Sequence, residues 1–152
     1  MTEGTEPQIA GEQRLREDYN LLETAKAQLE ALIRQQQLIQ LAVDEHVRAR
    51  ETVRALANGA PGDDVLIPLG ADSYVHAKIS EDRTAILGIG SGVSLRKTSD
   101  EAEKFLDAKI DDLSRAFKSV TERAQQMEGA VQELTEKVQS QYGAIQSSAS
   151  KA

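Results

Sequence analysis

A change of period is the feature that most constrains this chain. Residues 64–97 read DVLIPLGADSYVHAKISEDRTAILGIGSGVSLRK. Apolar side chains recur there at every second position: Val65, Ile67 and Leu69, then Val75, Ala77 and Ile79, then Ala85, Leu87 and Ile89, then Val93 and Leu95. That spacing belongs to strands, whose successive side chains point to opposite faces. Gly70-Ala71-Asp72 and Gly90-Ser91-Gly92 supply turns, and Ser80-Glu81-Asp82-Arg83 interrupts the pattern between them. Four short strands in two consecutive hairpins are expected. Two hairpins of this size bury little surface, and their outer strands leave backbone groups unpaired. Assembly with a second copy or a related subunit follows. Val65, Ile67, Leu69, Val75, Ile79, Leu87, Ile89, Val93 and Leu95 are the candidate assembly residues.

On both sides of this block the apolar period lengthens to that of a helix. Residues 1–11 are polar, carry Gly4, Pro7 and Gly11, and read as a disordered tail. Over 12–58 a heptad seam runs through Leu15, Leu22, Ala25, Leu29, Leu32, Gln36, Ile39, Val43, His46, Arg50, Val53 and Ala57. Asn58-Gly59 reads as a left-handed cap, with Pro61 just beyond. A second helix over 98–146 opens on a capping box, Thr98 with Glu101. Its seam runs Leu106, Ile110, Leu113, Phe117, Val120, Ala124, Met127, Val131, Leu134, Val138, Gln141 and Ile145, and only Gln141 breaks it. Residues 147–152 read as a flexible tail. On the first helix Gln36, His46 and Arg50 hold seam positions, where polar groups are either tolerated at half-exposed sites or fix the register. If the chain folds back, Ala57 faces Glu103 and Leu15 faces Ile145, so facing residue numbers add to 160. Leu29 then faces Val131. The expected fold is a single, mostly helical α+β domain. Two helices of ~65–70 Å form an antiparallel coiled coil, with the two hairpins at its base.

The remaining sequence narrows the chemistry. With no Cys among 152 residues, disulfides, thiolate metal sites and thiol catalysis are excluded. A net charge of −7 and the lack of any Lys/Arg block argue against nucleic acid and anionic membranes. No apolar run reaches the ~18 residues of a spanning helix, and no basic-then-apolar segment opens the chain. A cytoplasmic location is expected. Gly88-Ile89-Gly90-Ser91-Gly92-Val93 has Val93 where a G-x-G-x-x-G phosphate loop needs its last glycine and lacks the following helix, and it reads as a tight hairpin. His46 and His76 have no ligand or catalytic partner at a useful spacing, and Asp63, Asp64 and Asp72 lack the spacing of a calcium loop. No catalytic, cofactor or metal residue is therefore expected. At the outer end of the helix pair, Leu15, Tyr19, Leu22, Val138, Tyr142 and Ile145 lie where a coil frays. They either close the seam or bind other apolar chains.

The order helix, two hairpins, helix resembles the prefoldin family. The residues that carry the likeness are Val65-Leu66-Ile67-Pro68-Leu69-Gly70-Ala71, Ser73-Tyr74-Val75-His76-Ala77-Lys78-Ile79 and Leu87-Gly88-Ile89-Gly90-Ser91-Gly92-Val93. The resemblance extends from about Glu12 to Ile145, and two hairpins rather than one point to the archaeal alpha class over the beta class. It implies two alpha subunits joined to four beta subunits through β-barrels made by the hairpins. It also implies client capture at the arm tips without ATP, and delivery to a group II chaperonin. The competing reading is a structural coiled-coil tether oligomerised by its hairpins. Suppression of client aggregation separates the two.

Overall fold

The computed structural model describes residues 6–150, with side chains from residue 9 onward. In chain order it contains helix α1 (Glu6–Asn58), strands β1 (Asp64–Gly70), β2 (Ser73–Lys78), β3 (Thr84–Gly90) and β4 (Val93–Thr98), and helix α2 (Ser99–Ala149). Helix, not tail, thus covers residues 6–11, while residues 1–5 lie outside the described residues. Pro7 falls in the first turn, where its missing N–H is not needed. The far end of α2 also passes the expected limit of residue 146. There the Ser147 and Ser148 hydroxyls donate to the carbonyls of Ala144 and Ile145 at 2.9 and 2.8 Å.

The chain forms two compact units, one holding the described residues up to Ile39 and from Ala116, the other Gln40–Arg115. In the first, the opening stretch of α1 and the closing stretch of α2 pack antiparallel along their seams. Leu32, Val120 and Ala124 form its buried cluster, with Leu29, Ile39 and Met127 packed against it. Gln36 Nε2 donates to Thr121 Oγ1 across the pair at 2.8 Å. In the second unit, Ala102 and Leu106 are buried. Arg50 donates to Asp107 at 2.9 Å, and Arg54 pairs with Glu103. The numbers of each of these three bonded pairs add to 157, three short of the expected 160. The difference has a plain origin. Ala102 is fully buried, so the α2 seam begins a step before Leu106, where a search for large apolar residues does not look. Of the three polar seam positions, Gln36 and Arg50 bridge the helices, whereas His46 Nδ1 turns back to the Ala42 carbonyl at 2.7 Å.

Where α1 ends, Arg83 takes charge of the junction. Its guanidinium donates to the Ala57 carbonyl and, at 2.7 Å, to that of Gly59. A cation suits the negative end of the helix dipole. The Arg83 carbonyl accepts from the backbone N–H and the hydroxyl of Ser99 at 3.0 and 2.9 Å, at the first residue of α2. The expected left-handed cap at Gly59 is absent: Gly59 has no positive φ, and Gly62, which has one (89°), donates its N–H to the Ile79 carbonyl and not to the helix. Gly59 packs closely under Ile79 instead: a Cβ there would stand 2.3 Å from Ile79 Cδ1, so the Ile79 side chain would have to shift. The capping box of α2 is present as expected. Thr98 N–H donates to Glu101 Oε2 at 3.0 Å, and Glu101 N–H donates to Thr98 Oγ1 at 3.3 Å.

The strands form two separate two-stranded antiparallel sheets, β1–β2 and β3–β4. Both hairpins turn through two residues of positive φ, Ala71 and Asp72 in one, Ser91 and Gly92 in the other. Such turns match the twist of paired strands. Each sheet also slips register once, between Pro68 and Gly70 and between Gly88 and Gly90. Leu69 and Ile89 are the extra residues, so they leave the alternation that Val65 and Ile67, or Ala85 and Leu87, maintain.

Candidate functional site

In the first unit, two turns of α1 and two of α2 flank a shallow, open hollow of about 570 Å³. Leu15 and Tyr19 line it from one helix, Val138 and Tyr142 from the other, with Glu12, Arg16 and Gln139 at its border. Each apolar pair is spaced by four residues, which sets both members on one helix face. Leu15 and Val138 are half-buried; Tyr19 and Tyr142 are 52% and 56% exposed. Tyrosine offers an apolar ring while its hydroxyl stays wet. The hollow is thus suited to apolar side chains and offers them no directional bonding.

Of the six residues expected at this end, the hollow gathers four. Leu22 is buried inside the seam at 4% exposure and does not line the hollow. Ile145 is half-buried and lies outside the lining. Sequence reasoning missed Asp18, passing directly from Leu15 to Leu22 and leaving the intervening seam position unassigned. Asp18 is buried, accepting from Lys137 Nζ at 2.9 Å and from Gln141 Nε2 at 2.7 Å. The Lys137 bond first, then that of Gln141, holds its carboxyl below the usual aspartate range, against the opposing effect of burial. The usable signal was Gln141. A polar break in one seam asks for a polar partner in the other.

The hairpin residues divide into two groups. Leu69, Ile67, Val75, Ile89, Val93 and Leu95 are exposed by 42–67%. Val65, Ile79 and Leu87 are half-buried. Val65, Ile67 and Ile79 line a cavity of about 180 Å³ together with Val53 and Leu56 of α1, so part of this set serves the chain's own packing. Leu66, Tyr74 and Ile86 are also exposed, by 58–71%, and were not among the expected residues. The Gly88–Val93 stretch runs strand, turn, strand. Among the described residues no group of three or more His, Cys, Asp or Glu side chains is placed to hold a metal ion, and no helix is long and apolar enough to cross a membrane.

A family model described as prefoldin subunit matches residues 25–144, most of the chain. The chain belongs to the prefoldin family. Among prefoldins, it is 32% identical over 95 residues to the "Prefoldin subunit alpha" of Methanothrix thermoacetophila, a match covering 62% of each chain. It is 30% identical over 103 residues to that of Thermofilum pendens, covering 68% of this chain and 78% of the relative. The match to the Methanothrix prefoldin therefore spans slightly less than two thirds of that relative. In fold, the chain is similar to the filamentous PFD from Methanocaldococcus jannaschii, with a TM-score of 0.64 at 18% identity, over 78% of this chain and 98% of that one.

Proposed function

We propose that this prefoldin chain is a subunit of an ATP-independent holdase, not an enzyme, and that it captures non-native proteins at the Leu15–Tyr19–Val138–Tyr142 hollow. It acts as an alpha-type subunit in the cytoplasm. Through its hairpins it joins related subunits, two alpha with four beta, and it passes clients to a group II chaperonin. The observation that carries this reading is the hollow itself: two half-exposed tyrosines over two aliphatic side chains, in a chain of this family. The energetics suit the task. Apolar burial is worth ~25 cal/mol per Å², so one hollow gives a weak and unspecific contact. Several copies acting on one client multiply it, since later contacts become intramolecular. Such binding accepts many sequences and still lets them go.

Tyr19→Ser combined with Tyr142→Ser tests the reading. Both side chains stand outside the seam core, so the assembled complex should keep its mass and helix content. Its suppression of aggregation of a chemically denatured client should fall at least fivefold. Undiminished suppression would contradict capture at the hollow. Absence of suppression by the unmodified complex would favour the tether.

A further inference from the structure

Among the described residues Asp18 is the one buried polar or charged residue, and it sits in the seam beside the hollow. Its partners, Lys137 and Gln141, are one turn apart on α2 and alternate with Val138 and Tyr142 of the hollow. The layer is incompletely satisfied. Gln141 Oε1 is buried and has no hydrogen-bond partner. An apolar layer loses its contacts when helices part and gains nothing from water. Here parting would hydrate the buried Asp18 carboxylate and the orphaned Gln141 carbonyl, while the Lys137 side chain is already 56% exposed. Two residues further along α2 stands Gly143, with open space around the position of a Cβ. Glycine lowers helix stability at that end.

We propose that the Asp18–Lys137–Gln141 layer is the opening point of the helix pair, a polar latch whose release parts the ends of α1 and α2 around an apolar client segment. The proposal rests on capture at the hollow and supplies its regulation. Closed, the pair presents Leu15, Tyr19, Val138 and Tyr142. Opened, it adds Leu22, now buried in the seam, and Ile145, now half-buried. The occupant is an extended chain segment with apolar side chains, for which the enlarged surface offers a second row of contacts.

The test replaces the latch by an apolar layer, Asp18→Leu with Gln141→Leu, in the full chain assembled with its subunits. Two quantities are read: hydrogen exchange of the backbone amides in residues 9–22 and 138–149, and suppression of aggregation of a denatured client. The proposal expects exchange in both segments to slow at least tenfold and suppression to fall at least threefold, with the mass of the complex unchanged. A layer that merely holds the helices together gives the opposite, faster exchange. Faster or unchanged exchange overturns the proposal, as does slower exchange with full suppression. If the double variant does not fold, Asp18→Met with Gln141→Met replaces the same polar groups by more adaptable apolar side chains. It should slow exchange likewise, and no slowing overturns the proposal. Failure of the capture reading is told apart by the tyrosine variants: if those leave suppression intact, capture at the hollow is wrong, while the exchange measurement still decides where the pair opens.

Discussion

At Gly129 of α2 an added Cβ would meet no atom within 4 Å, and the residue is exposed. Gly129→Ala should therefore stabilise the chain by ~0.5–1 kcal/mol, read as a higher urea midpoint at unchanged slope. Ala71 presents the converse case. It holds φ 50° in the first hairpin turn, a conformation that costs an L-residue roughly 1–2 kcal/mol and glycine almost nothing. Ala71→Gly should recover part of that cost. Glu101 links one residue to pH. The N–H of Thr98, then its hydroxyl, then Lys97 hold the Glu101 carboxyl below its ordinary value. A depressed folded-state value means that the capping box stabilises fully above the unfolded value and loses that contribution as pH falls through the folded one. The carboxyl of Asp18 is shifted in the same direction. Thermal stability should thus fall on acidification through and below the carboxylate range. In Glu101→Gln the fall should be shallower, from a lower starting point at neutral pH.

The elements were legible to different depths. Period-two alternation located all four strands, and the Thr98–Glu101 box marked the start of α2, because both signals lie within a few residues of one another. The α2 seam reads correctly from Leu106 to Ile145, and every one of its positions is buried or half-buried. What stayed hidden depends on contacts between distant segments. Asp18 carries no apolar signal and shows its place only through Lys137 and Gln141, and Arg83 shows its place only where α1 ends and α2 begins. The register slipped for the same reason, since the outermost large apolar residues are poor markers of where two helices meet. Cysteines test it cleanly in a chain that has none. A Leu32→Cys, Ala124→Cys pair joins two members of one buried cluster and should form a disulfide within one chain. The pair Leu29→Cys, Glu133→Cys, displaced further along α2, should not. The reverse result would mean that the bonded pairs adding to 157 misplace the helices.

For the molecule as a whole, two separate two-stranded sheets and few buried residues are what the proposed assembly through the hairpins would complete. Val93→Asp with Leu95→Asp places charge on β4, where both side chains are exposed in the single chain. It should lower the mass in solution and leave helix content intact; an unchanged mass would remove the hairpins from the assembly. A net charge of −7 is compatible with the proposed holdase role, since self-repulsion opposes association of client-loaded complexes. The proposed capture puts the client against the helix ends rather than the hairpins. Two tyrosines of nearly equal exposure compare these surfaces directly: Tyr142 at 56% beside the hollow and Tyr74 at 61% on β2. A photoreactive phenylalanine analogue placed at one or the other, in the assembled complex, is irradiated with a denatured client bound. Capture at the helix ends should give client adducts from position 142 and few or none from position 74. Adducts mainly from position 74 would contradict it.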